Sequence, residues 1–170
     1  ENRFAQSVLS VILGGGMSSR LFTEVRERRG LAYSVKTSIE RYQETGYLAT
    51  YAGVDLAKID EAIKIIVGEH YKLTGKKDPI TVSELKKAKE YIKGHLALSL
   101  EDTKNVNSFF TEQVLFLNKV KTPKEVFKAV DKVRMDDVYK QAKRLFVPER
   151  LNLAIIGPYK DEQKFVKLIK

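Results

Sequence analysis

Phe4, Val8, Val11 and Ile12 recur at helical spacing, and Gly14-Gly15-Gly16 interrupts the run. The chain is therefore expected to open in a helix. Ser18 or Ser19 is the candidate cap of a second helix, with Leu21, Phe22 and Val25 on one face. Gly30 ends it as a left-handed terminator. The period then changes. Across residues 31–40, Ala32, Ser34, Lys36 and Ser38 oppose Tyr33, Val35, Thr37 and Ile39. Across residues 46–54, Tyr47, Ala49 and Tyr51 alternate against Leu48, Thr50 and Ala52. The short polar link 41–45 makes the pair an antiparallel hairpin.

Helical spacing returns afterwards. Leu56, Ile59, Ile63, Ile66, Val67 and Tyr71 form a stripe, and residues 75–79 form a loop. Thr81-Val82-Ser83-Glu84 matches a capping box and opens a helix with Leu85, Ala88, Ile92 and Leu96 inward. Val106, Phe109, Phe110, Val114 and Leu117 mark the next helix. Thr122-Pro123-Lys124-Glu125 is a second capping box with Pro at the first helical position. Val138, Ala142, Leu145 and Phe146 mark a further helix, ended by Pro148. Residues 151–156 predict a short strand, and residues 161–170 a last amphipathic helix. This order predicts an α+β fold, an antiparallel sheet with helices packed on one face. Strands do not alternate regularly with helices, which disfavours a doubly wound nucleotide-binding fold. The length of 170 residues fits one domain spanning 1–170.

Composition narrows the chemistry. The absence of Cys excludes disulfides, thiolate–zinc sites, iron–sulfur clusters and a Cys nucleophile. No apolar run approaches the roughly 18 residues that cross a bilayer, so no membrane partner is expected. No secretory leader is visible, and a cytoplasmic setting is favoured, with the true N-terminus expected upstream of Glu1. The net charge is +9, but the Lys residues are dispersed and alternate with Glu and Asp. No aromatic–basic interleaving appears, so the charge reads as a solvated surface rather than a nucleic-acid site.

A zinc hydrolase needs three protein ligands and an open position. The inverted motif is H-x-x-E-H. Residues 66–70 end in Glu69-His70, but Ile66 stands where the first His is required. No metal site is expected in this chain, and His95 reads as packed or hydrogen-bonded. No Gly-x-Ser-x-Gly elbow exists. Gly14-Gly15-Gly16 lacks the Walker pattern and reads first as a helix terminator, second as exposed backbone that contacts substrate. The segment Arg26-Glu27-Arg28-Arg29-Gly30-Leu31-Ala32-Tyr33 is more suggestive. Three Arg at a helix end suit its dipole, which suffices for Arg28 and Arg29. Arg26 and Tyr33 flank the Gly30 turn. An Arg and a phenol brought together there would bind peptide carbonyls and a developing oxyanion.

Leu13-Gly14-Gly15-Gly16-Met17-Ser18-Ser19-Arg20-Leu21-Phe22, with Glu24-Val25-Arg26-Glu27-Arg28-Arg29-Gly30-Leu31-Ala32-Tyr33-Ser34-Val35, resembles the signature of the C-terminal half of the insulinase, pitrilysin and processing-peptidase superfamily. Gly46-Tyr47-Leu48, Glu84-Leu85-Lys86-Lys87-Ala88-Lys89 and Leu153-Ala154-Ile155-Ile156-Gly157-Pro158 resemble later parts of that half more loosely. The resemblance implies the non-catalytic half of a zinc endopeptidase. It places a main-chain clamp on Arg26 and a donor to the scissile carbonyl on Tyr33. It implies zinc in an N-terminal half or a homologous subunit, not in this chain, and a peptide substrate between the halves. A homo-oligomer is also compatible with it. That half normally begins with a strand, so the chain is expected to lack its first strand. The alternative is a structural or chaperone-like relative without peptidase activity, as in respiratory complexes.

Overall fold

The computed structural model describes residues 2–75 and 78–169. Among them, α1 (Arg3–Gly14) precedes a π-helix (Phe22–Glu27), and a hairpin of β1 (Ala32–Arg41) and β2 (Gly46–Val54) follows. Then come α2 (Ile59–Lys72), α3 (Val82–Ser99), α4 (Thr103–Leu117), α5 (Pro123–Asp131), α6 (Met135–Leu145) and α7 (Glu162–Ile169). The fold is α+β, as the hydrophobic pattern predicts. Lys76 and Lys77 of the expected loop, and Lys170 of the last expected helix, lie outside the described residues.

Asn2 starts α1 by accepting from the Ala5 N–H at 3.1 Å. The buried face of α1 is wider than the spacing suggests: Ala5, Val8, Leu9, Ile12 and Leu13 are all inside, with Phe4 and Val11 at the margin. A helix this apolar belongs at the centre. It lies against β1 on one side and against α3, α5 and α6 on the other. The helices cover the hairpin face that carries Val35, Thr37, Leu48 and Ala52. The opposite face stays open, with Lys36, Tyr47 and Tyr51 exposed.

Both capping boxes form. Thr81 and Glu84 exchange bonds at 3.1 and 2.7 Å, and Thr122 and Glu125 at 3.3 and 2.8 Å. Gly30 takes φ +56° and ends the π-helix as expected.

Four expectations are corrected. The second helix is a π-helix, and neither Ser18 nor Ser19 caps it: the Ser19 hydroxyl is buried with no hydrogen-bond partner among the described residues. Tyr33 does not share a face with Val35 and Thr37, because the strand bulges there. Residues 151–156 join no ladder among the described residues, and a strand exists only where its backbone groups find a partner. In α4 the buried residue is Gln113, whereas Val114, Leu115 and Phe116 are exposed. The amide of Gln113 is held by the carbonyls of Phe109 and Lys121 and the Lys121 N–H, which closes the turn after α4 and brings a polar side chain inward.

Arg20 ties the segment before the π-helix to the start of α3. Its Nε donates to Glu84 Oε1 at 2.7 Å and one Nη to Glu84 Oε2 at 3.2 Å. The fork also reaches the carbonyls of Asp78 and Pro79 at 3.1 and 3.0 Å. The Arg20 side chain is 9% exposed. Burial pulls the Glu84 carboxyl up, but the bonds from Arg20 and the Thr81 N–H outweigh it and leave it below its ordinary value. Arg20→Ala is expected to cost about 2 kcal/mol, less than the ~3–5 of a fully buried pair because Glu84 and Asp78 keep some solvent. A carboxylate whose folded pKa is depressed stabilises above its unfolded value near 4.3 and loses that contribution as pH falls through the folded value. Thermal denaturation from pH 7 to 3 checks both points: Glu84→Gln lowers Tm at pH 7 and flattens the acid limb below about pH 4.3.

Candidate functional site

The site is built around the Gly30 turn. Leu21 and Val25 are fully buried, one turn apart, and fix the orientation of the π-helix. Its wider turn is closed by the Arg28 N–H bonding the Thr23 carbonyl, five residues back, at 2.9 Å. In such a turn both the fourth and fifth residues onward lie over the first. Arg28 and Arg29 thereby both reach the Glu24 carboxylate. The hydrogen bond from Arg29 leads in holding Glu24 below its ordinary pKa, with the charge of Arg28 adding to it. The same geometry sets Arg26 over Phe22, its guanidinium carbon 4.9 Å from the ring centroid.

Beyond Gly30, the Leu31 N–H bonds the Val25 carbonyl at 2.8 Å and locks the turn. Lys58, from the short 3-10 turn Leu56–Lys58, donates to the Gly30 carbonyl at 3.0 Å. Leu31 and Ala32 are buried. Ala32 then pairs with Val54 and Ser34 with Gly53, which leaves Tyr33 as an extra residue without a partner across the strand. A bulge of this kind re-aims a side chain. Tyr33 turns out of the core and is 83% exposed, while Val35 and Thr37 point inward. Its ring lies 5.3 Å from the Arg26 guanidinium carbon.

The structure therefore brings Arg26 and Tyr33 together on one surface. It also separates Arg26 from its neighbours. Arg28 and Arg29 are consumed by Glu24, whereas the Arg26 side chain is exposed and has no hydrogen bond or ion pair among the described residues, only the two aromatic rings. Nothing in the hydrophobic pattern marks Phe22 as part of this surface, because it shares the apolar spacing of Leu21 and Val25. The exposed Arg26 at its helical spacing of four is the clue that was available.

Packing leaves no room for a side chain at Gly14, Gly15 or Gly16. A Cβ on Gly14 would stand 2.3 Å from Thr37 Oγ1 and 2.7 Å from the Thr37 N, so α1 can lie on β1 only with glycine there. A Cβ on Gly15 would meet Val11 Cα at 2.6 Å, and one on Gly16 the edge of the Tyr91 ring at 3.0 Å. Gly14 is buried; Gly15 and Gly16 are half-buried.

His70 is committed elsewhere. Its Nδ1 lies 2.7 Å from the Ile66 carbonyl, which only accepts, so Nδ1 carries the proton. Its Nε2 then accepts from the Thr50 hydroxyl at 3.0 Å, and Thr50 from Thr37 at 2.9 Å. This line of donors joins α2 to both strands beneath the hairpin. His95 stacks on Tyr91 with centroids 4.0 Å apart. Among the described residues no cluster of His, Asp and Glu has the makings of a metal site, and both nitrogens of His70 are occupied. No helix of the described residues is long and apolar enough to cross a membrane.

Comparison with known proteins places this geometry in a class. The same α+β fold occurs in a peptidase M16 inactive domain from Pseudomonas fluorescens, at a TM-score of 0.74 and 21% identity, over 85% of this chain and 34% of that one. A protease from Helicobacter pylori superposes at a TM-score of 0.73 and 26% identity, over 86% of this chain and 35% of that one. A family model described as the peptidase M16 inactive domain matches residues 1–92. A Bacillus subtilis protein named as the uncharacterized zinc protease YmxG is 40% identical over 151 residues, which is 89% of this chain and 36% of the relative. A zinc protease of Mycobacterium leprae, also named as uncharacterized, is 32% identical over 170 residues, 100% of this chain and 38% of the relative. The chain thus spans well under half the length of these curated relatives. It belongs to the peptidase M16 inactive-domain family.

Two outcomes test the roles given to Gly14 and His70. Gly14→Ala is expected to cost about 1–3 kcal/mol by overpacking α1 on β1, read as a fall in the denaturation midpoint. Burial of His70 lowers its pKa despite the opposing bond to Ile66. The unfolded chain therefore takes up a proton near pH 6.5 before the folded chain does, and stability falls as pH drops below about 6.5. His70→Gln removes that limb, measured by urea denaturation between pH 8 and 5.

Proposed function

We propose that this domain is the substrate-clamping half of a zinc endopeptidase, with Arg26 and Tyr33 as its contribution to the peptide site. The observation that carries the reading is the exposed Arg26 guanidinium, free of any carboxylate among the described residues, beside the exposed phenol of Tyr33. Family membership and the zinc-protease names of its relatives support it.

In this reading Arg26 donates N–H groups to a main-chain carbonyl of the peptide and fixes its register. The Tyr33 hydroxyl donates to the scissile carbonyl oxygen as that oxygen gains negative charge. Such a donor acts most strongly on the transition state, so it changes turnover rather than binding. The open face of the hairpin and the bulge at Tyr33 leave room for an extended peptide beside the pair. In this reading zinc belongs to the other half, an H-x-x-E-H domain on the same polypeptide or on a homologous subunit; among the described residues no group of ligands suits it. The exposed apolar residues Val114, Leu115 and Phe116 of α4 support the presence of such a partner surface.

The test uses the domain assembled with its zinc-bearing half and a fluorogenic peptide. Tyr33→Phe is expected to lower kcat by about 10²–10³ with KM little changed. Arg26→Ala is expected to raise KM. Unchanged turnover in Tyr33→Phe would remove that residue from the chemistry.

A further inference from the structure

We infer that Phe22 is a positioning residue that holds Arg26 ready for the peptide carbonyl. The inference rests on the reading of Arg26 given above and adds a residue to it. Arg26 lies between two rings, with its guanidinium carbon 4.9 Å from the centroid of Phe22 and 5.3 Å from that of Tyr33. Arginines elsewhere in the domain, and the two that follow Arg26, are held by polar partners: Arg20 by Glu84, Arg28 and Arg29 by Glu24, Arg41 by Ser7 and a carbonyl of α1. Arg26 is restrained by aromatic faces instead.

The distinction has a chemical consequence. A carboxylate partner would occupy the N–H fork, and substrate would have to displace it. An aromatic face attracts the cation through its π-cloud and leaves the in-plane N–H donors available. Arg26 is thus restrained and unconsumed at once, which is the condition for presenting donors to a neutral carbonyl. The two rings are not equivalent. Tyr33 is 83% exposed at a bulge and has its own work at the scissile carbonyl. Phe22 is half-buried, packs against the core cluster and opens the π-helix that carries Arg26, so it is the fixed wall. The spacing of four stacks the two side chains: Leu21 and Val25, at the same spacing, point inward and leave Phe22 and Arg26 on the adjoining face.

The experiment compares Phe22→Leu, which keeps apolar volume and loses the π-face, with Phe22→Tyr, which keeps both. Each is made in the enzyme assembled with its zinc-bearing half, alone and with Arg26→Ala. Phe22→Leu is expected to raise KM about three- to tenfold, with kcat within about twofold. Phe22→Tyr restores the original KM, and Phe22→Leu adds nothing once Arg26 is Ala. A second readout does not depend on turnover: the Arg26 Nε–Hε resonance is shifted by the ring current of Phe22, and Phe22→Leu moves it while Phe22→Tyr does not. The proposal is overturned if Phe22→Leu leaves KM and that resonance unchanged, or if its effect adds in full to that of Arg26→Ala. If Arg26→Ala itself leaves KM unchanged, the peptide role of Arg26 fails, and the resonance alone decides whether Phe22 holds it.

Discussion

Gly30 sits at φ +56° between a helix with an expanded turn and a strand with an extra residue. The rest of the site depends on this arrangement. An ordinary α-turn would not bring both Arg28 and Arg29 onto Glu24, and an unbulged strand would put Tyr33 on the same face as the buried Val35. Each irregularity costs backbone hydrogen bonding, and each is the type of departure that collects at functional sites. Together they set a cation and a phenol side by side in solvent, on a scaffold whose inner residues, Leu21, Val25 and Leu31, are wholly or almost wholly buried.

That scaffold is rigid for reasons found far away in sequence. Arg20 anchors the entry to the π-helix on the capping box of α3, so a single carboxylate, Glu84, both starts a helix and holds the site. Gly14 lets α1 lie directly on β1 beside Thr37, and Thr37 is one end of the hydroxyl line to His70. The entry to the π-helix is thus held from the α3 side by charge, the turn at Gly30 by Lys58, and the hairpin beyond it by the His70 network. His70, whose two ring nitrogens are both hydrogen-bonded, is part of the frame.

Local signals were legible in the sequence. Thr81/Glu84 and Thr122/Glu125 act within four residues, and a left-handed Gly30 needs only its own backbone, so each reads correctly from the residues alone. The pairing of Arg26 with Tyr33 was legible because both flank that turn. What the sequence could not show depends on partners distant along the chain. The Arg20–Glu84 bond spans 64 positions. The bulge at Tyr33 is a matter of register against β2, and strict alternation, the only guide available, points the ring the wrong way. Residues 151–156 have the composition of a strand without a partner among the described residues, and α4 has apolar spacing that faces outward. Phe22 shares the apolar stripe for the same reason: apolar periodicity does not distinguish a residue that supports the interior from one that supports a cation at its edge.

The most direct measurement is a crystal structure of the domain with its zinc-bearing half and a bound, non-cleavable peptide. The account predicts a peptide carbonyl within about 3.2 Å of an Arg26 nitrogen and the scissile carbonyl oxygen, or its analogue, within about 3.2 Å of the Tyr33 hydroxyl. Arg28 and Arg29 would remain on Glu24. A peptide held by Arg28 or Arg29, with Arg26 and Tyr33 left in solvent, would contradict it.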